Sequence, residues 1–336
     1  APLSRTTGAI SPGWAPMWVL MTVTLGKGVV RLGIVAHPHL HLALPAHDRV
    51  AHRRDDQAWL DEQWTDPTTQ VLVVAGARIR PRGDAPSWVS SADAPDGLRV
   101  LLGRRDGRTW FAVVIDPDDA PGELSEWLGL RAVLGHLASS SDGVAPLVFH
   151  AIGIAEWLHA TRFCPRCGGP LEARSAGHQL VCAACGKAQF PRTDPAVIMA
   201  ITFGEPGADD EQLLLGRQAV WPVDRFSTLA GFCEPGESLE DAVRRETLEE
   251  TGVVVGEVSY FGNQPWPFPS SMMIGFTGRA TTQDLVLEDE IEEARWVTRA
   301  QMREQAEAGR LILPGGVSIS RSLVEAWYGG PLPGTW

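Results

Sequence analysis

Two pairs of cysteines near the middle of this 336-residue chain limit its folding more than any other feature. Cys164 and Cys167 make one C-x-x-C pair and Cys182 and Cys185 the other, with 14 residues between the pairs. Two such pairs facing each other close a tetrahedral site of four thiolates, and Gly168, Gly169 and Gly186 provide the turns each pair needs. A closed sulfur cage has no position for water, so one zinc ion there is expected to hold structure together rather than do chemistry. The alternative is a ribbon that binds nucleic acid, with Arg162, Arg166, Arg174, Lys187 and Arg192 as its cations. The fifth cysteine, Cys233, stands alone.

The ribbon splits a chain whose length suits two or three domains. Residues 1–20, rich in Ser, Thr, Gly and Pro, read as a disordered leader or extension, with Met21 a natural start. Residues 21–160 form a mixed α/β domain, 161–190 the ribbon, and 191–330 a second larger domain. In the first part, β-branched runs at Val71–Ala75, Leu98–Leu102 and Trp110–Ile115 read as strands, and Trp127–Leu137 and Leu147–Thr161 as helices. In the second, strands are expected at Val197–Phe203, Leu213–Gly216, Val253–Phe261 and Met272–Ala280, with a closing helix near Ser318–Trp327. There is no G-x-G-x-x-G and no regular βαβ alternation, which argues against a Rossmann-type dinucleotide site. The balance of 41 acidic against 29 basic side chains, a formal charge of -12, argues against a broad phosphate-tracking surface. The apolar run from Trp14 to Leu25 is too short to span a bilayer and lacks the flanks of a signal peptide, so a cytoplasmic protein with no membrane partner is expected, and free thiols there favour metal over disulfides.

The chemistry concentrates between Gly231 and Val253. Pro235 and Gly236 make a turn, Ser238 can cap a helix with Asp241 at its third position, and Gly252 can close it. At about 100° per residue, Leu239, Ala242 and Val243 form an apolar stripe that continues through Glu246 and Glu250, with Glu249 on its edge. Carboxylates pointing inward cannot stay charged unless something positive joins them, so a merely solvated acidic face is the weaker reading. Three oxygen donors at i, i+3 and i+4 suit Mg²⁺ or Mn²⁺, ions that in turn bind phosphate oxygens. Arg245, four residues before Glu249, can orient that carboxylate.

This segment resembles the Nudix box, G-x5-E-x7-R-E-U-x-E-E-x-G-U, with Gly231, Glu237, Arg245, Glu246, Thr247, Glu249, Glu250, Gly252 and Val253 in the box positions. Thr247 departs from the usual aliphatic residue and, lying off the stripe centre, should cost packing and no metal ligand. Downstream, Asn263-Gln264-Pro265-Trp266-Pro267-Phe268-Pro269-Ser270-Ser271 resembles the SQPWPFPxS signature of NADH pyrophosphatases, with Asn263 for the first Ser. Its alternate prolines cannot sit in a central strand and make a stiff segment that presents Trp266 and Phe268; a proline-rich turn packing Trp266 into the core is the plain alternative. Phe190-Pro-Arg-Thr-Asp-Pro195 resembles the family's YPR-x-DP, with Phe for Tyr.

The resemblance to the NADH pyrophosphatase (NAD-capped RNA hydrolase) family of Nudix hydrolases implies a Nudix αβα sandwich at the C-terminus, preceded by the four-cysteine zinc ribbon and the N-terminal α/β domain. It implies catalytic Glu246, Glu249 and Glu250, more than one Mg²⁺ or Mn²⁺ per subunit held by these, the Ala230 carbonyl and Glu290, and support from Arg245 and Glu237. It implies contacts to the dinucleotide from Arg131, Phe190, Phe232, Gln264 to Ser271 and Ser320, in a homodimer. The implied reaction is hydrolysis of the pyrophosphate of NADH or NAD⁺ to nicotinamide mononucleotide and AMP. Two rivals remain open at this point: decapping of NAD-capped RNA by the same chemistry, and an inactive Nudix nucleotide sensor or RNA-binding module.

Overall fold

The computed structural model describes residues 18–25, 28–35, 37–43, 47–83, 85–139 and 142–334. Most of the leader expected over residues 1–20 lies outside the described residues, and its expected end falls inside a strand. From Trp18 the chain forms an antiparallel pair, β1 (Trp18–Leu25) and β2 (Gly28–Val35). Helix α1 (Gln57–Thr65) follows, its first turn capped by the Asp56 carboxylate, which accepts from the Trp59 amide. Strands β3 (Gln70–Ala75), β4 (Leu98–Arg105) and β5 (Arg108–Ile115) come next. β3 runs parallel to β5, and β4 and β5 form a hairpin. Asp106 and Gly107 turn that hairpin with positive φ at both positions, the twist a two-residue connection requires.

The first sheet is covered on both faces. Val71, Ala75, Leu101, Phe111 and Val113 pack toward Leu60 of α1 and Trp127, while Leu72, Val74, Val100, Leu102 and Ala112 face two later helices, α2 (Leu130–Ser139) and α3 (Ala145–Ala160). Alternation along β3 and β4 therefore separates two cores. The helix expected from Trp127 begins instead at Leu130. Trp127 is buried with its indole N–H donating to the Pro121 carbonyl, and Leu128–Gly129 pair as a short strand with Arg78–Ile79. Helix α3 is apolar on nearly every side and buried from Ala145 to Ile152, as a helix enclosed by other elements must be.

The ribbon is a hairpin of β6 (Leu171–Arg174) and β7 (Gln179–Cys182) with a short third strand at Ala188–Gln189. Its turn passes through Ser175, Ala176 and Gly177, all at positive φ, and a β-carbon on Gly177 would lie 2.7 Å from Val100 of β4. The ribbon tip is thus seated against the first sheet.

The second sheet has the order β11-β12-β8-β9-β13, from β8 (Asp194–Phe203), β9 (Gln212–Arg217), β10 (Leu229–Phe232), helix α4 (Leu239–Thr251), β11 (Val255–Trp266), β12 (Ser271–Ala280) and β13 (Glu293–Thr298), with β10 paired to β8. β8 and β12 are parallel; the other pairs are antiparallel. Along β8, Val197, Met199 and Ile201 face α4, whereas Ile198 and Ala200 face α5 (Arg299–Glu307) and α6 (Ile319–Tyr328). Two helical layers enclosing one mixed sheet make the αβα sandwich. β11 is an edge strand, so proline at 265 removes no interior ladder bond; Gln264, Pro265 and Trp266 continue the strand, and the chain turns only over 267–270. Among the described residues no helix is long and apolar enough to cross a membrane.

Candidate active site

Helix α4 is bounded by a Ser238 cap that accepts from the Asp241 amide and by Gly252 at φ 72°. Between these ends its buried side chains are Ala242, Val243, Thr247, Glu250 and Thr251. Thr247 is fully buried, contrary to its expected place off the stripe, and its hydroxyl donates to the Val243 carbonyl at 2.7 Å, which satisfies it inside the helix.

Glu250 is 4% exposed, and its Oε2 atom is buried with no hydrogen-bond partner. Burial, and then the charges of Glu290, Glu246 and Glu249, push its proton affinity up to about 8. Glu246 is also raised, mainly by burial. Glu246, Glu249, Glu250, Glu288, Asp289 and Glu290 line one cavity of about 650 Å³. Glu288 and Asp289 join the expected set, and their signal in the sequence is the acidic run ending at Glu290. An uncompensated buried carboxylate among five others fits divalent cations, whose charge removes the repulsion.

Arg245 organises the rim. It donates to both oxygens of Glu237 at 3.0 and 2.7 Å, to Glu246 and Glu249 at 2.9 Å each, and to the Phe232 carbonyl at 2.9 Å. Its hydrogen bonds hold Glu237 down to about 2. Ala230 lies in β10 opposite Ile198, one residue before the glycine that abuts Glu246. The rings of Phe190 and Phe232 are both exposed.

The other expected ligand contacts divide into two groups. Arg131 lies over the Phe268 ring at 4.7 Å, and Trp266 and Phe268 pack with centroids 4.7 Å apart. Pro265, Trp266, Pro267, Pro269, Ser270 and Ser271 line a cleft against α3. Gln264 and Ser320, however, are buried and engaged within the protein. The Gln264 amide donates to the Val317 carbonyl at 2.7 Å and accepts from the Ile319 amide at 2.9 Å. The Ser320 hydroxyl meets those of Ser227 and Thr228 at 2.8 Å each, on the sheet face opposite α4. Both side chains tie α6 to its neighbours.

The four ribbon sulfurs lie within 4.8 Å of one another. The Cys185 amide, directed at the Cys182 sulfur, lowers that thiol to about 7, which favours the thiolate a metal needs. The donor set fits zinc.

Three family models match: the NUDIX domain over residues 193–314, the NADH pyrophosphatase zinc ribbon domain over 159–190, and the NADH pyrophosphatase-like rudimentary NUDIX domain over 68–157. The last accounts for the first sheet and its helices. The NAD-capped RNA hydrolase NudC of Mycobacterium bovis is 38% identical over 279 residues, covering 78% of this chain and 84% of its own. The protein of that name from Stutzerimonas stutzeri is 35% identical over 260 residues, covering 77% and 86%. NAD-capped RNA hydrolase NUDT12 of Macaca fascicularis is 36% identical over 233 residues, covering 65% of this chain and 50% of its own. With box, ribbon and first domain all matched in order, the chain belongs to the NADH pyrophosphatase family of Nudix hydrolases.

Proposed function

We propose that this enzyme hydrolyses the pyrophosphate of NADH or NAD⁺, releasing nicotinamide mononucleotide and AMP, and acts on the same linkage at the 5′ end of NAD-capped RNA. The observation that carries the reading is the buried, unpartnered Glu250 inside a ring of carboxylates, in a chain that also presents Trp266 and Phe268 on a rigid edge-strand hairpin. The relatives' names support the substrate.

Glu246, Glu249, Glu250, Glu290 and the Ala230 carbonyl would hold Mg²⁺ or Mn²⁺. Such ions, when bound, offset the pyrophosphate's charge and make the attacking water more acidic. Arg245 keeps the carboxylates aimed by bonding Glu246 and Glu249 while Glu237 anchors it. Glu250, buried among these carboxylates, would serve as a ligand and, ionised by the bound metal, as a candidate base for the attacking water. The exposed rings of Phe190 and Phe232 suit stacking on a base, with Arg131 beside Phe268. We further propose a homodimer in which those rings are covered, a cytoplasmic location consistent with thiols assembled as a metal site, and units spanning about 21–160, 161–190 and 191–330.

The test is a product assay with NADH, ADP-ribose, dinucleoside polyphosphates and NAD-capped RNA side by side, with Mg²⁺ or Mn²⁺. NADH and the capped RNA should be cleaved to monophosphate products with the highest kcat/KM. Faster cleavage of ADP-ribose or the dinucleoside polyphosphates would overturn the substrate assignment, and no cleavage of any would favour a nucleotide sensor.

A further inference from the structure

Where α3, the ribbon turn and the β11–β12 turn meet, the cleft of about 470 Å³ that Pro265 to Pro267 and Pro269 to Ser271 line on one side carries Arg49, Arg54, Arg192, His150 and His178 on its other wall and no carboxylate. Arg192 is paired with Asp194 at 2.7 Å. Among the described residues Arg49 and Arg54 form no ion pair, and Asp55, the acid that acts on Arg54 through space, accepts instead from the Ser175 hydroxyl at 2.7 Å. In a chain of net charge -12, two guanidiniums in one concave site with no ion pair among the described residues suit an anion.

The histidines define which anion. His178 Nδ1 lies 3.0 Å from the Ala176 carbonyl, which can only accept, so this nitrogen carries the proton. The neutral ring then has a bare Nε2, and the hydrogen bond of 3.0 Å between His178 Nε2 and His150 Nε2 must be donated by His150. His150 Nδ1 is therefore an acceptor, and it is buried with no partner in a side chain that is 8% exposed. Arg54 Nε is a buried donor with no partner. Burial, then Arg49, His178, His47 and Arg54, disfavour a charge on His150. Water at either orphan atom would bring no negative charge to the two guanidiniums.

We propose that this cleft binds a phosphomonoester or inorganic phosphate, whose charged oxygens accept from Arg54 and Arg49 and whose P–OH donates to His150 Nδ1. A phosphodiester has no O–H, so it would leave His150 unpartnered or force a proton onto a ring beside two arginines. Free phosphate, a mononucleotide and the 5′-phosphate end of an RNA share the required group. The site shares the β11–β12 turn with the proposed dinucleotide contacts but none of the metal-binding carboxylates, and its test reads metal-free binding through Arg49 and Arg54, so its failure is distinguishable from a failure of the hydrolytic reading.

Binding of inorganic phosphate, methyl phosphate and dimethyl phosphate to the zinc-loaded protein, without Mg²⁺ or Mn²⁺, decides it by calorimetry. The first two should bind, dimethyl phosphate should bind at least about tenfold more weakly, and affinity for methyl phosphate should fall above about pH 6 as its second proton is lost. Arg54→Gln and Arg49→Gln, which leave the histidine pair intact, should each weaken phosphate roughly tenfold. AMP and a 5′-phosphorylated trinucleotide then separate the sources: tighter binding of one identifies it, and no gain over methyl phosphate identifies free phosphate. No binding of phosphate, equal binding of the diester, or unchanged affinity in both arginine variants overturns the proposal.

Discussion

Glu246 occupies the space that a side chain at position 231 would need: a β-carbon built on Gly231 would lie 1.9 Å from the Glu246 carboxyl carbon. The glycine of the box is therefore required by contact with a carboxylate fifteen residues further along the chain, and not by its own backbone angles. Gly231→Ala should push Glu246 out of the cavity and lower kcat by about a hundredfold, since small displacements of reacting groups cost that much, while the melting temperature changes little. Activity within a few-fold of wild type would show that Glu246 has no fixed role.

Glu250→Gln should abolish turnover and also stabilise the metal-free protein at alkaline pH. The folded-state affinity of Glu250 is raised from 4.5 to about 8, so its contribution to stability is present below the unfolded value and is lost as pH rises through about 8. Metal-free wild type should therefore lose on the order of 2–4 kcal/mol between about pH 5 and pH 8, and the Gln variant should lose much less. Denaturant titrations at both pH values measure this, and parallel losses in the two proteins would contradict the burial of an uncompensated charge.

Cys182→Ser should release zinc and destabilise the chain by several kcal/mol, with activity falling only as the folded fraction falls. The reading is zinc content by mass spectrometry beside a melting curve. A folded, zinc-free variant with a selective loss of kcat would assign the ribbon a chemical role.

Trp266→Ala should weaken hydrolysis of NADH and NAD⁺ more than that of ADP-ribose, which lacks the nicotinamide. Stacking contributes about 0.5–1.5 kcal/mol beyond area burial, a several-fold to about tenfold effect on kcat/KM. Equal losses on all three substrates would reduce Trp266 to a support of fold or dimer.

Local chemistry made much of this molecule readable from its residues. Ser238 and Gly252 bound α4 because a cap and a left-handed terminus are one-residue decisions, and Glu250 points inward because helical spacing places it below Val243. What depended on distant partners was not readable. Gln264 and Ser320 look like polar residues free to meet a ligand, yet both are engaged across more than fifty positions of sequence. Helix α1 carries a weak apolar pattern and buries only Leu60, so it gave no periodic signal. Arg49, Arg54, His150 and His178 come from three segments and share no motif; only the fold brings them together.

The ribbon's last strand ends at Gln189 and β8 begins at Asp194, whose amide and carboxylate are already bonded to Ser270. Only residues 190–193 separate the two strands, and the ribbon tip is seated on Val100 at its other end. For anyone wishing to transplant the catalytic half alone, this spot is a poor place to cut. A break there would free the start of the strand that also registers the Trp266 hairpin, so a portable catalytic unit has to bring its zinc module with it.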